Sequence, residues 1–178
     1  MVEIALNLKL AERSKVLDLG TGTGAIALAL ASERPDWLIT ALDKSTQALA
    51  LAKDNALMHK LDRVNFIQSD WFSAVEHQQF DIIVTNPPYI EDNNHYLQQG
   101  DVRFEPSSAL TSGADGLDDI RLIISQSKPY LAANAWLVIE HGYEQSPNVT
   151  DIFRAYGFNQ IRSELDLNGL PRVTLGCL

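Results

Sequence analysis

The sequence has a single cysteine, Cys177, in 178 residues. No internal disulfide can form, which fits a protein of the reducing cytosol. Cys177 has no CxxC partner and no Cys or His neighbours, so it reads as a core or terminal thiol, not a ligand. No apolar run approaches the ~18 residues of a membrane span, and no signal-peptide pattern opens the chain. The expected setting is therefore cytoplasmic, away from membranes. Basic residues are scarce: 14 Lys and Arg stand against 23 Asp and Glu, a net charge of −9. That balance is a poor footprint for gripping nucleic acid by its phosphates, and stable nucleic-acid binding is not expected. His141 has no second histidine near it in sequence, so it reads as a surface or capping residue and no metal site is expected. A GxSxG nucleophile signature is missing, as are internal repeats and low-complexity tracts.

What is present is an ordinary globular composition, 46% hydrophobic and 21% charged, in a length that suits one domain with a full core. Residues 2–12 place Val2, Leu6 and Leu10 at roughly helical spacing. A helix starting at the first residue without a cap or lead-in suggests a segment cut from something longer. Residues 16–19 then read as a short buried strand and residues 25–31 as an Ala- and Leu-rich helix. Between them lie Gly20, Thr21, Gly22, Thr23 and Gly24. Alternating glycines let the backbone turn tightly and let a ligand approach where a Cβ would collide. The N–H groups at the start of the next helix add a positive pole. The pattern is GxGxG, not the GxGxxG that cradles a pyrophosphate, and packing alone is the competing explanation. Asp18 is the more telling residue. A carboxylate in an apolar strand is costly unless paired, so it should accept hydrogen bonds from the loop or face a cationic ligand.

Residues 37–43 form a second apolar strand that ends on Asp43. An acid at that strand tip, about twenty residues past a glycine turn, can accept both hydroxyls of a ribose. The competing role, capping the helix expected over residues 46–59, is served as easily by Ser45. That helix should turn Ala48, Leu51, Ala52 and Leu57 inward. The third strand, residues 64–68, is followed by Asp70 and Trp71, an edge acceptor and a flat wall for an adenine ring, although tryptophan is more often core.

Residues 80–85 are a nearly unbroken apolar run, the mark of a strand buried on both faces. It stops at Asn86-Pro87-Pro88-Tyr89. Neither proline can continue a sheet ladder, and Asn86 before a proline is pushed into extended backbone. A polar amide is thus held at the carboxyl end of a buried strand with an aromatic just beyond. A proline-stiffened loop is the plainer explanation, weakened by the flanking Asn and Tyr. Residues 90–116 are polar and aperiodic, and a loop this long that leaves directly from Tyr89 is expected to be a substrate-facing flap. Arg103 and Glu105 within it serve equally well as an ion pair or as substrate contacts. A helix over 117–130, a strand over 135–140, a helix over 145–156 and two strands over 158–164 and 171–177 complete the pattern, the last two turning at Asn168-Gly169.

Alternating strands and helices specify an α/β fold: a doubly wound, mostly parallel seven-stranded sheet with a C-terminal antiparallel hairpin. Ligands of such sheets bind beyond the carboxyl ends of the strands where strand order reverses, commonly between strands one and four. The glycine turn and Asn86 should then face one another across a crevice.

DLGTGTG, Asp43, SDWF and NPPY in this order resemble the Rossmann-like class I S-adenosylmethionine-dependent methyltransferases. The run FDIIVTNPPYI, RFEPSSAL, IEHG and RVTLG is similar to the HemK/PrmC family, protein-(glutamine-N5) methyltransferases acting on peptide chain release factors. The resemblance covers nearly the whole chain. It implies S-adenosylmethionine as cofactor, S-adenosylhomocysteine as product and a release factor as partner. It also implies a cofactor site lined by Gly20 to Gly24, Asp43, Trp71 and Asn86, with Asn86, Pro87, Pro88 and Tyr89 holding a glutamine. Residues 1–178 are then one catalytic domain. Residues 1–14 are the remnant of a helix or linker to the N-terminal helical domain that the family carries. Because NPPY is shared with adenine-N6 nucleic-acid methyltransferases, that activity is the alternative. A nucleotide-binding module or dehydrogenase using the glycine turn is more distant, for want of GxGxxG.

Overall fold

The computed structural model describes residues 1–92, 94, 106 and 109–178. Seven strands form one sheet: β1 (Lys15–Leu19), β2 (Leu38–Asp43), β3 (Asn65–Gln68), β4 (Phe80–Thr85), β5 (Leu131–Glu140), β6 (Asn159–Leu165) and β7 (Pro171–Cys177). Their order is β3-β2-β1-β4-β5-β7-β6. The pairs among β1 to β5 are parallel, and β7 runs antiparallel to both β5 and β6. Helices α1 (Val2–Asn7), α2 (Ala25–Glu33), α3 (Thr46–Met58), α4 (Asp118–Ser127) and α5 (Ser146–Ala155) pack around this sheet. The doubly wound sheet with a terminal hairpin is the architecture read from the sequence.

Successive residues of a strand point to opposite faces, and here both faces are covered. Leu17, Leu19 and Ile83 join one core cluster with α4 and α5, whereas Val16, Ile82 and Val84 join a second with α1 and α2. That double burial is why β1 and β4 read as continuous apolar runs and not as alternating ones. Strand order reverses between β1 and β4, which pair Leu19 with Thr85. Chain leaving the two strand ends, Gly20 and Asn86, therefore emerges side by side.

Four local expectations need correction. The first helix ends at Asn7, because Leu8 is extended, and it is Ala5 that is fully buried, not Val2, Leu6 or Leu10. In α3 the buried face is Leu49, Ala52 and Ala56; Leu51 and Leu57 are exposed. Small alanines allow the helix to lie close to the sheet, so the larger leucines do not mark its inner face. β5 starts at Leu131, earlier than the apolar run suggests, because the register shifts and the exposed Asn134 takes a left-handed backbone (φ 62°). His141 is fully buried, the partner of a hydroxyl 33 positions away in β7.

Of the loop over 90–116, residues 93, 95–105 and 107–108 lie outside the described residues, and with them Arg103, Glu105 and most of the expected flap. Its described ends pair with one another. Ile90 N–H donates to Leu110 O (2.9 Å) and Ser112 N–H to Ile90 O (2.9 Å), making a parallel bridge between Ile90 and Thr111.

Candidate active site

The turn after β1 is built from Gly20, Gly22 and Gly24 with φ of 67°, 55° and 83°, all left-handed. It is tied to β2 by Thr21 N–H donating to Leu42 O (2.8 Å). Gly22 is the informative glycine, since a Cβ there would meet nothing within 4 Å. A side chain would have room there, so it is the left-handed conformation alone that favours glycine. Gly24 is packed instead, with Ala52 Cβ 3.2 Å from where its Cβ would stand. Packing therefore accounts for Gly24 and not for Gly22.

Asp18 lies under the turn with no exposed surface. Its Oδ2 accepts from Thr21 Oγ1 (2.6 Å) and Ala27 N–H (3.1 Å), the hydrogen bonds that its position in an apolar strand called for. Its Oδ1 is buried and has no partner, and burial is the main reason the carboxyl is pushed up to about 6, against those two hydrogen bonds. A buried carboxylate with one oxygen unused favours a positively charged or hydrogen-donating neighbour.

Asp43 ends β2 half-buried, and its Oδ2 accepts from Gly22 N–H and its Oδ1 from Ser45 N–H, both at 2.8 Å. Each carboxylate oxygen retains acceptor capacity for a ligand hydroxyl. Capping α3 falls to Ser45, whose hydroxyl accepts from Ala48 N–H (3.2 Å). Trp71 closes the same side: its ring edge approaches within 3.6 Å of the Cβ position of Gly20 while its body packs on the core. Its backbone is left-handed (φ 47°), an uncommon state for an aromatic residue, held by Ser69 Oγ donating to Trp71 O (2.7 Å) and accepting from Ala74 N–H (3.0 Å). Asp70 is exposed and pairs with Lys44 at 3.1 Å.

Beside the glycine turn, β4 ends on Thr85, whose buried hydroxyl donates to Leu19 O (2.8 Å) and links the two strand ends. Asn86 is exposed, Pro87 buried, and Pro88 and Tyr89 half-buried. The candidate residues of β1, β2 and β4 are thus gathered at one end of the sheet, as strand order requires.

Two further residues had no role assigned from the sequence. Gln145 Nε2 donates to Tyr89 O (3.0 Å) and to Asp115 O (3.1 Å), while its Oε1 accepts from Gly142 N–H (2.8 Å). One amide thereby ties the exits of β4 and β5 to the returning loop. The approach is so close that a Cβ on Gly116 would stand 2.2 Å from Tyr89 O. Arg172, in β7, places its guanidinium 5.5 Å from the centre of the Tyr89 ring and Nη2 3.3 Å from Tyr89 Oη. Arg172 opens the RVTLG segment of the resemblance, which gave it no role, and nothing local points to Gln145.

Known proteins bear on this geometry. A profile of the methyltransferase small domain family matches residues 4–112. Over 176 residues the chain is 50% identical to the release factor glutamine methyltransferase of Shewanella oneidensis, a match covering 99% of this chain and 62% of that relative. It is 51% identical over 176 residues to the protein of the same name from Pseudomonas aeruginosa, covering 99% and 64%. The chain thus spans a little under two thirds of the length of these curated relatives. Among solved structures, a methyltransferase from Pyrococcus furiosus superposes with a TM-score of 0.71 at 14% identity, covering 99% of this chain and 81% of that one, a likeness of fold alone. The chain belongs to the methyltransferase small domain family.

Proposed function

We propose that this domain transfers the methyl group of S-adenosylmethionine to the side-chain amide nitrogen of a glutamine in peptide chain release factors, in the cytoplasm. The observation that carries the reading is the placement of Asn86-Pro87-Pro88-Tyr89 at the exit of β4, beside the glycine turn of β1. Relatives about half identical to this chain, which bear the name release factor glutamine methyltransferase, agree with it. Their additional length leaves recognition of the whole release factor as part of the proposal.

The residues present fit the cofactor. Asp43 would hold the ribose hydroxyls, Trp71 and Asp70 the adenine, the Gly20–Gly24 backbone the amino-acid portion, and Asp18 the positive charge. S-adenosylmethionine supplies an electrophilic methyl group on a sulfonium. The chain's own task is to make a poor nucleophile reactive, since an amide lone pair is delocalised into its carbonyl. Asn86 Oδ1 and the Pro87 carbonyl accept the two hydrogens of the substrate NH₂, which fixes the plane of the amide and aims its lone pair. Pro88 stiffens the turn, and Tyr89 packs against the flat amide. No strong base is needed beforehand, because the proton leaves after transfer. Positioning of this kind can supply on the order of 7–11 kcal/mol.

An adenine-N6 nucleic-acid methyltransferase would use the same Asn-Pro-Pro-Tyr turn. The net charge of −9 weighs against it. Labelled cofactor offered with a release factor and with DNA separates the two. Label incorporated at glutamine supports the proposal, and label on adenine overturns it.

A further inference from the structure

The hairpin at the far edge of the sheet reaches back into the candidate site through one side chain. We infer that Arg172 is a positioning residue for methyl transfer, acting through Tyr89. The inference rests on the glutamine-methyltransferase reading, which it extends to a residue to which neither motif nor chemistry had given a role.

Arg172 is the second residue of β7, and its carbonyl accepts from His141 N–H (2.9 Å), the first residue beyond β5. Since β5 lies between β4 and β7, this pairing carries Arg172 to the carboxyl end of the parallel strands. There its guanidinium covers the Tyr89 ring at 5.5 Å and Nη2 donates to Tyr89 Oη at 3.3 Å. Arginine carries only donors, so the phenol oxygen is the acceptor in this contact. The guanidinium plane suits both the ring face and the oxygen, which an ammonium does not match. Half-burial of both partners keeps the contact from being a loose surface pair.

The backbone is fixed independently. Gln145 holds the Tyr89 carbonyl at 3.0 Å, and Gly116 packs against that same oxygen. With the peptide pinned from one side and the ring held from another, Tyr89 cannot swing without breaking one of these contacts. A ring meant to lie flat on a planar substrate amide needs this restraint, since misplacement by about 1 Å can cost on the order of 10²-fold in rate. Arg172 is therefore part of the positioning machinery, although it contacts no reacting atom.

The test combines substitution with a cycle. Arg172→Met keeps the aliphatic stem and removes the fork and the charge; Arg172→Lys keeps the charge alone. Both are made in the parent and in Tyr89→Ala. With a release factor as methyl acceptor, Arg172→Met should lower kcat roughly 10- to 100-fold with little change in cofactor affinity. Arg172→Lys should recover part of that loss. In the Tyr89→Ala background Arg172→Met should have no further effect on kcat. Equal losses in both backgrounds, or a parent-like kcat for Arg172→Met, overturn the inference. A second readout does not depend on turnover: in protein carrying ¹³C-labelled tyrosine, Arg172→Met should shift the Tyr89 ring signals and leave the other tyrosines in place. Unchanged Tyr89 signals also overturn it. A parent that methylates no glutamine sinks the functional reading instead, and the ring signals then decide whether Arg172 fixes Tyr89.

Discussion

Replacing Asp18 by Asn should make the stability difference between variant and parent depend on pH, the ligand-free variant gaining on the parent as pH rises. Asp18 is fully buried, and its folded carboxyl titrates at about 6 against an ordinary 3.8. A pKa raised on folding means that the folded state binds the extra proton between those values. Asp18 therefore weighs least on stability below about pH 4, and its cost grows as pH rises through about 6. The gap of about two units corresponds to ~3 kcal/mol when fully developed. Between pH 4 and 7.5 the stability of Asp18→Asn relative to the parent should therefore rise by about 2–3 kcal/mol. For a chain of this length that is roughly 5–10 °C in relative Tm. Taking the difference between variants matters, because His141 also titrates. Burial chiefly lowers its pKa, so both proteins lose stability as pH falls below about 6.5, and this cancels. Denaturant melts of both proteins at several pH values provide the measurement. Asn also leaves a buried donor where Oδ1 stood, which shifts the whole curve by a constant ~1–3 kcal/mol but not its slope. A relative stability that does not change with pH would refute the reasoning. Saturating S-adenosylmethionine should narrow the gap near neutral pH, because a cation beside Asp18 favours its charged form.

Three further outcomes follow from the same geometry. Asp43→Ala should weaken S-adenosylmethionine binding by about 1.5–3 kcal/mol, read by titration calorimetry, and unchanged affinity would remove Asp43 from the site. Gly116→Ala should destabilise the protein by more than the ~1–2 kcal/mol that a left-handed backbone costs, because its Cβ would strike Tyr89 O. Gly169→Ala, with a similar φ and nothing within 4 Å, is the control, and equal losses in denaturant melts would count against the contact. DNA binding should be weak at physiological salt; tight binding lost steeply as salt rises would reveal many phosphate contacts.

How far the molecule could be read from its residues depended on the range of each interaction. β4 was placed to the residue because an unbroken apolar run and two prolines are local signals. Ser45 as the cap of α3 was equally local. The inner face of α3 was misplaced because Ala52 and Ala56 pack closely without looking hydrophobic enough to outweigh Leu51 and Leu57. His141 was read as exposed because its partner, Thr174, lies across a strand pairing that no nearby residue announces. Arg172 and Gln145 stayed hidden for the same reason. Each acts on Tyr89 over a separation of 83 or 56 residues, through side chains whose types are ordinary on a surface. That the ends of β1 and β4 lie side by side was legible because strand order follows from the alternation of elements. Which side chains brace them was not, because bracing is a property of packing.

The most direct measurement is methyl transfer by Asn86 variants to a release factor glutamine, taken together with their cofactor affinity. Asn86→Ala removes the acceptor proposed to orient the substrate amide and leaves the glycine turn and Asp43 untouched. Its kcat should fall by about 10²-fold or more, with only a modest loss of cofactor affinity. Asn86→Asp keeps an acceptor of the same size but loses the two-sided character of an amide, and it should retain cofactor while transferring methyl poorly. Asn86→Ala turning over at the parent rate would contradict the assignment of the Asn-Pro-Pro-Tyr turn as the substrate-amide site.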